Sequence, residues 1–212
     1  MALRSSIKDA IRAAREATKN ARQKAQRAAV WFKNKLAKSN ERPNAKNRPN
    51  PLTGEGGNNN NGGQPPVQFA KRMVIGEMYS FRYDAKHKKT LPFWDANPLI
   101  ILIGFTANGW YGMNLHYLPP RIRAIFLNRL KDLATNPSNG SRRRLKLTYQ
   151  LLSNASKFKF FRPTIHQYLK NHVRSNIVLI PYDEWDFAIS LPTADWQKAS
   201  ASQVYKDSLS KI

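Results

Sequence analysis

The apolar positions divide the chain into three stretches with different rhythms. From Ser5 to about Lys38, small or apolar residues recur at Ile7, Ile11, Ala14, Thr18, Ala21, Ala25, Ala28, Phe32 and Leu36. Steps of three and four place these along one side of a single long helix. Ser6 with Asp9 three residues on is close to a capping box, and neither Gly nor Pro occurs before Pro43. The stripe is thin, because alanine buries little area, so the helix needs something to lie against or to bind. The second stretch, 39–68, has almost no large apolar residue. Pro43, Pro49 and Pro51 precede a Gly/Asn run over 56–63 and the pair Pro65-Pro66, the composition of a linker.

The third stretch, 69–212, carries most of the large apolar side chains. Alternation predicts a strand over 73–83, and 84–90 reads as a basic turn. The continuous apolar run over 98–105 predicts a buried strand. Asn108-Gly109 is a hairpin signal, with the returning strand over 110–117. Pro119-Pro120 ends it, and 121–134 predicts an amphipathic helix with Ile122, Ile125, Phe126, Leu130 and Leu133 inward. A second helix is expected over 145–153. A third is expected from Pro163, with Ile165, Tyr168, Leu169 and Val173 on one side. Strands over 177–180 and 185–191, separated by a turn near 181–184, and short helices over 195–199 and 203–210 complete the reading. The order is not an alternating strand–helix series. It predicts an α+β fold: a small bent antiparallel sheet with packed helices, an SH3-like barrel being its favoured form, preceded by a long basic N-terminal helix and linker. The expected division is a basic amphipathic helix at 1–38, a Pro/Gly/Asn-rich linker at 39–68 and an α+β domain at 69–212.

Charge changes the picture most. Lys and Arg total 36 against 13 Asp and Glu, a formal +23 in 212 residues. Such an excess repels itself in a compact state, and solubility needs a net charge of only about 2–8. A polyanion relieves the repulsion, and nucleic acid is the commonest one. The cations cluster. Outside its stripe the N-terminal helix carries Arg4, Lys8, Arg12, Arg15, Lys19, Arg22, Lys24, Arg27, Lys33, Lys35 and Lys38. Between Arg121 and Arg174 stand thirteen Lys or Arg and one acid, Asp132. There Arg142, Arg143 and Arg144 with Lys146 suit bidentate phosphate contacts. Lys157, Lys159 and Arg162 alternate with Phe158, Phe160 and Phe161, a pattern that can grip a backbone and stack a base. Lys86, Lys88 and Lys89, with His87, form a third cluster. The blander reading of the phenylalanines is core, with the cations between them facing solvent.

Other chemistry finds little support. The absence of cysteine excludes disulfides, zinc ribbons and thiol catalysis. No apolar run reaches the ~18 residues of a membrane span, and the basic start lacks a signal-peptide core. Neither HExxH, GxSxG nor a glycine-rich phosphate loop occurs. Asp84, His87 and Asp95 are the only candidates for a nuclease metal site, and their spacing matches no metal motif. No catalytic residue, metal or cofactor is therefore expected. Tyr182-Asp183-Glu184-Trp185-Asp186 gathers acids, and it suits a turn before a core strand or pairing with a basic region of a neighbouring subunit.

Several strings are similar to a known family. They are Gly76-Glu77-Met78-Tyr79-Ser80-Phe81-Arg82-Tyr83-Asp84-Ala85-Lys86-His87, then Leu91-Pro92-Phe93-Trp94-Asp95, Pro98-Leu99-Ile100 and Gly112-Met113-Asn114-Leu115-His116-Tyr117-Leu118. His172-Val173-Arg174-Ser175, Glu184-Trp185 and Leu191-Pro192 follow. Together these resemble the DNA end protector, or head-completion, proteins of tailed bacteriophages, over about 76–207. The resemblance implies a virion protein bound to the end of linear double-stranded DNA near the portal and neck. It would shield that end from host exonucleases after injection, by occlusion without bond chemistry. The family supplies no catalytic residues, so the candidate DNA contacts rest on charge and position. The rival expectation is a structural head–tail connector that binds portal or tail proteins, with the long helix threading between subunits. No membrane partner is expected, and the implied locations are the virion and then the host cytoplasm.

Overall fold

The structure is a computed structural model that describes residues 2–40, 68–69, 73–135, 154, 159–191 and 196–210. Helix α1, Ala2–Asn40, is one continuous element of 39 residues, roughly 60 Å long at 1.5 Å per residue. It starts before Ser6, because Ala2, Leu3 and Arg4 are good helix formers, so Ser6 is internal rather than its cap.

Six short strands build the main sheet: β1 (Gln68–Phe69), β2 (Met78–Ser80), β4 (Leu99–Thr106), β5 (Gly109–Asn114), β6 (Ile165–Leu169) and β7 (Val178–Ile180). Their order is β1-β7-β2-β4-β5-β6, and every pairing is antiparallel. A separate pair joins β3 (Trp94–Asp95) to β8 (Trp196–Gln197). The α+β reading with a small antiparallel sheet holds. The sheet is open, however, with β1 and β6 at opposite edges, and it does not close into the expected barrel.

Both faces of the sheet are covered, which explains the unbroken apolar run of β4. Leu99 and Ile101 point to one face, with Met78, Met113, Val178 and Ile180. Helix α2 (Pro120–Thr135), helix α3 (Trp185–Ser190) and the C-terminal third of α1 pack there through Leu127, Leu130, Trp185, Ala188, Trp31 and Phe32. Ile100 and Leu102 point to the other face, where Tyr79, Phe81, Tyr83, Trp110 and Tyr168 form an aromatic cluster. Phe81 meets Trp110 and Tyr168 edge-on at centroid distances of 5.7 and 5.3 Å. Gly112 is favoured where β5 pairs with β4, since a Cβ there would lie 2.6 Å from the Ile100 side chain.

Several elements differ from the sequence reading. Within the strand expected at 185–191, residues 185–190 form helix α3 instead. Trp185, Ala188 and Ile189 follow helical spacing, and Asp183, Glu184 and Asp186 lie where a helix start favours acids. After Pro163 the chain does not continue as a helix. Lys159–Thr164 is a 3₁₀ turn, and Ile165–Leu169 pairs with β5, so tertiary pairing with the hairpin decides its state. In place of the helix expected at 195–199, Trp196–Gln197 form β8, and Lys198 follows it with φ of 69°. Within 73–83 only Met78–Ser80 joins the ladder, because Gly76 turns the chain at φ of 92°. Strand β5 stops at Asn114, whose side chain accepts from the His116 amide and opens a 3₁₀ turn, Leu115–Tyr117. In α2, Ile125 points outward with 62% exposure, and the inward row contains Arg123 instead. Helix α4 (Ala201–Ser210) agrees with expectation. The helix expected at 145–153 lies outside the described residues.

Candidate nucleic-acid interface

The arm of the molecule is α1. From Glu16 to Lys24 every residue is exposed, including Lys19 and Arg22, and Arg27 is exposed just beyond. Burial begins at Ala28 and continues through Trp31, Phe32, Lys35 and Ser39. The alanine-rich part of the stripe, Thr18 and Ala21, thus faces outward, because only Phe32, Leu36 and the unforeseen Trp31 have enough apolar area to dock. Backbone positions of Arg12 and Arg15 fall in the same helix.

Docking is fixed by a buried polar knot. Lys35 Nζ donates to Glu184 Oε1 at 2.8 Å and lies 2.7 Å from Oε2. Trp31 Nε1 donates to the same carboxylate at 2.9 Å. The ion pair is nearly solvent-free, with 5% and 2% side-chain exposure. Lys35 is therefore not a surface cation as its helix position suggested. The acidic segment serves this chain's own cations: Glu184 holds Lys35, and Asp186 lies 2.8 Å from Lys131.

The basic turn emerges beside β3. Lys86, His87, Lys88 and Lys89 are all exposed. Lys88 donates to Asp84 Oδ1 at 2.7 Å, with Arg174 3.6 Å from Asp84 Oδ2. The hydrogen bond from Lys88 is the main cause that holds the Asp84 carboxyl below its usual value. Lys198, which nothing in the sequence singled out, ties the turn down. Its ammonium donates to the carbonyls of Lys88, Lys89 and Leu91 at 2.7, 3.2 and 3.3 Å, and it sits 5.4 Å from the centre of the Trp94 ring. These contacts hold its uncommon left-handed backbone in place.

Of the remaining candidates, Arg162 is exposed within the 3₁₀ turn that begins at Lys159. Phe161 of the interleaved aromatics is partly buried against Phe126, at 5.1 Å between centroids. Arg142, Arg143, Arg144, Lys146 and Lys157 lie outside the described residues. Arg123, counted in the same basic stretch, is buried, donates to the Leu191 carbonyl, and has its pKa lowered by desolvation.

Asp84, His87 and Asp95 do not form a metal site. Asp84 pairs with lysine and arginine, while Asp95 faces inward. No group of three or more His, Asp or Glu suited to a metal occurs among the described residues. Asp95 instead centres a buried network. Its Oδ2 lies 2.7 Å from His116 Nδ1 and accepts from Asn114 Nδ2 at 2.9 Å, while Oδ1 accepts from the Asn97 amide. Asn114 Nδ2 also donates to the Tyr168 hydroxyl at 3.2 Å. A cavity of about 400 Å³ opens above this network.

These features define an α+β domain with a docked, cation-bearing helical arm. Residues 67–209 match the family model of the Phage T4 terminal DNA protecting protein, and the chain belongs to that family. Membership makes this a phage protein of the DNA-end-protecting kind, with DNA termini as its implied partner. No curated protein and no solved structure matches it. No helix among the described residues is long and apolar enough to cross a membrane.

Proposed function

We propose that this protein binds the terminus of the linear double-stranded genome near the portal and neck of the particle, and shields that end from host exonucleases by occupying it. The observation that carries the reading is the exposed, cation-rich arm of α1 anchored to a domain of the DNA-protecting family. Lys19, Arg22 and Arg27, continued by Arg12 and Arg15 on the same helix, supply one run of phosphate contacts. Lys86, Lys88 and Lys89 supply another, and Arg142, Arg143, Arg144, Lys146, Lys157, Lys159 and Arg162 a third. Neutralising phosphates releases condensed counterions, so affinity is large, independent of sequence and steeply salt-dependent. Occlusion needs no bond-breaking group, because an exonuclease must engage the last base pairs to begin.

The test compares two digestions. Purified protein is expected to slow exonuclease digestion of linear duplex and to leave endonuclease digestion of closed circles unaffected. Equal effects on both substrates, or none on the linear one, contradict end protection.

A further inference from the structure

Phosphate contacts alone leave a physical gap in that function. A duplex presents the same charged backbone in its interior as near its end, so α1 and the basic turn hold DNA without telling the two apart. An end differs in having a last base that is stacked on one side only and frays. It is therefore the base extracted at least cost.

The cavity above the Asp95 network has the features that receive such a base. Its burial is graded from floor to rim. Asp95, Asn114 and Tyr168 line its buried floor, Trp94 and His166 are half-buried, and Lys86 and His87 are exposed at the mouth. The walls are aromatic. His166 lies against Tyr117 at 4.3 Å and 35°, and Tyr117 meets Trp196 edge-on at 4.6 Å, so these rings are mutually braced. The floor is polar and pre-set. Both donors of Asn114 are used, and its oxygen accepts one hydrogen bond. That fixes the Asp95 carboxylate, an acceptor, beside the Tyr168 hydroxyl, which accepts from Asn114 and keeps its own proton to donate. Burial, first of all, raises the Tyr168 pKa well above the ordinary value, so the proton stays in place at physiological pH. A donor beside an acceptor at the end of an aromatic slot complements the hydrogen-bonding edge of a nucleobase. The volume of about 400 Å³ falls among small-ligand sites. Lys86 and the His87 ring at the mouth then face the attached phosphate.

We propose that this cavity is a terminal-nucleotide site: the last base of one strand leaves the duplex and inserts between the aromatic walls, its phosphate meeting Lys86 and His87. The inference rests on the proposed function and adds the means by which an end is told from the interior.

The full-length protein is titrated with an open-ended duplex and with a duplex of the same sequence closed at both ends by hairpin loops. Wild type is expected to prefer the open duplex by about fivefold or more, the low end of what stacking one base provides. Trp94→Ala and His166→Ala are each expected to bring that preference close to unity, without loss of affinity for the closed duplex. Circular dichroism checks that both variants are folded. A 2-aminopurine at the terminal position gives a readout independent of the variants: its emission changes on binding wild type, while the same base placed internally stays silent. A preference that survives in folded variants, or a silent terminal probe, overturns the nucleotide site and leaves end protection standing. Equal affinity of wild type for open and closed duplexes overturns both.

Discussion

Glu184→Ala is the sharpest probe of how the cationic arm is held. The substitution removes the carboxylate that accepts from both Lys35 and Trp31, two side chains 4% and 6% exposed. Lys35 is left as a buried ammonium without a counter-charge, and removing one partner of a buried pair costs about 3–5 kcal/mol. Against a net stability of roughly 5–15 kcal/mol, that loss is large. The alternative is for α1 to undock, which forfeits the burial of Trp31 and Phe32, roughly 1.5–3 kcal/mol for each large side chain. The two routes cost similar amounts, so a drop of that size in urea denaturation is expected together with faster amide exchange over 28–39. Lys35→Met combined with Glu184→Leu removes both charges and is expected to stay within about 1.5 kcal/mol of wild type, since apolar replacement of a whole buried pair is often neutral. A loss below about 1 kcal/mol for Glu184→Ala would mean that the pair behaves as a solvated surface bridge, and the account of docking would be wrong.

Replacing Lys19, Arg22 and Arg27 together by Gln is expected to reduce the slope of log affinity against log salt by about 2.7, at ~0.9 for each phosphate no longer neutralised; anisotropy titrations across a salt series measure it, and an unchanged slope removes the arm from the DNA interface. Lys198→Met takes away three hydrogen bonds to the basic turn and the charge beside Trp94. Amide exchange over 86–91 is expected to quicken while β4 and β5 stay protected, and equal protection of the turn would show that the clamp is dispensable. At alkaline pH, burial raises the pKa of Tyr79, Tyr117 and Tyr168 above the ordinary value near 10. The stability these groups contribute is complete below about pH 10, where unfolded tyrosine ionises, and falls as pH rises towards the folded values. Absorbance at alkaline pH is expected to show a late, cooperative group of tyrosines that titrates only with unfolding. Smooth titration of all eight in the native protein contradicts the burial argument.

What the sequence revealed was what neighbours along the chain decide. The run at β4 and the Asn108-Gly109 turn carry their structure locally, and both were legible. Strand β6 was misread because its state is set by pairing with β5, more than fifty residues earlier: Trp110 faces Tyr168 across that ladder. Residues 185–190 gave an ambiguous pattern, too short for periodicity to separate helix from strand. The site divides in the same way. Exposed cations were legible as cations, but the burial of Lys35 depends on a glutamate 149 residues away, and that of Arg123 on a carbonyl 68 residues away. The Asp95 network was out of reach for the same reason, since Asn114 and Tyr168 meet only when β5 and β6 pair.

The buried pair also answers a question posed by the composition of α1. Only Ala28, Trp31, Phe32 and Leu36 of α1 join the core, and so short an apolar contact alone leaves the axial position of the helix weakly specified. Polar groups inside such an interface are best attested as devices that fix register. Here Trp31 and Lys35, one turn apart on the same face, converge on one carboxylate. A shift by one turn would bring Lys35 to the place of Trp31, or Trp31 to the place of Lys35, and would break at least one of the two hydrogen bonds to Glu184. The knot therefore specifies a single docking position, and with it the direction and reach of the arm beyond Ala28. Because Lys19, Arg22 and Arg27 continue the same helix, their direction from the domain is set by Glu184, and with it the phosphate contacts proposed for them. Lys35→Met combined with Glu184→Leu should accordingly keep the protein stable yet blur the position of α1, which distance distributions between spin labels on α1 and β5 would reveal as a broadened or doubled peak. A single sharp peak at the wild-type distance would assign the register to Trp31 and Phe32 alone.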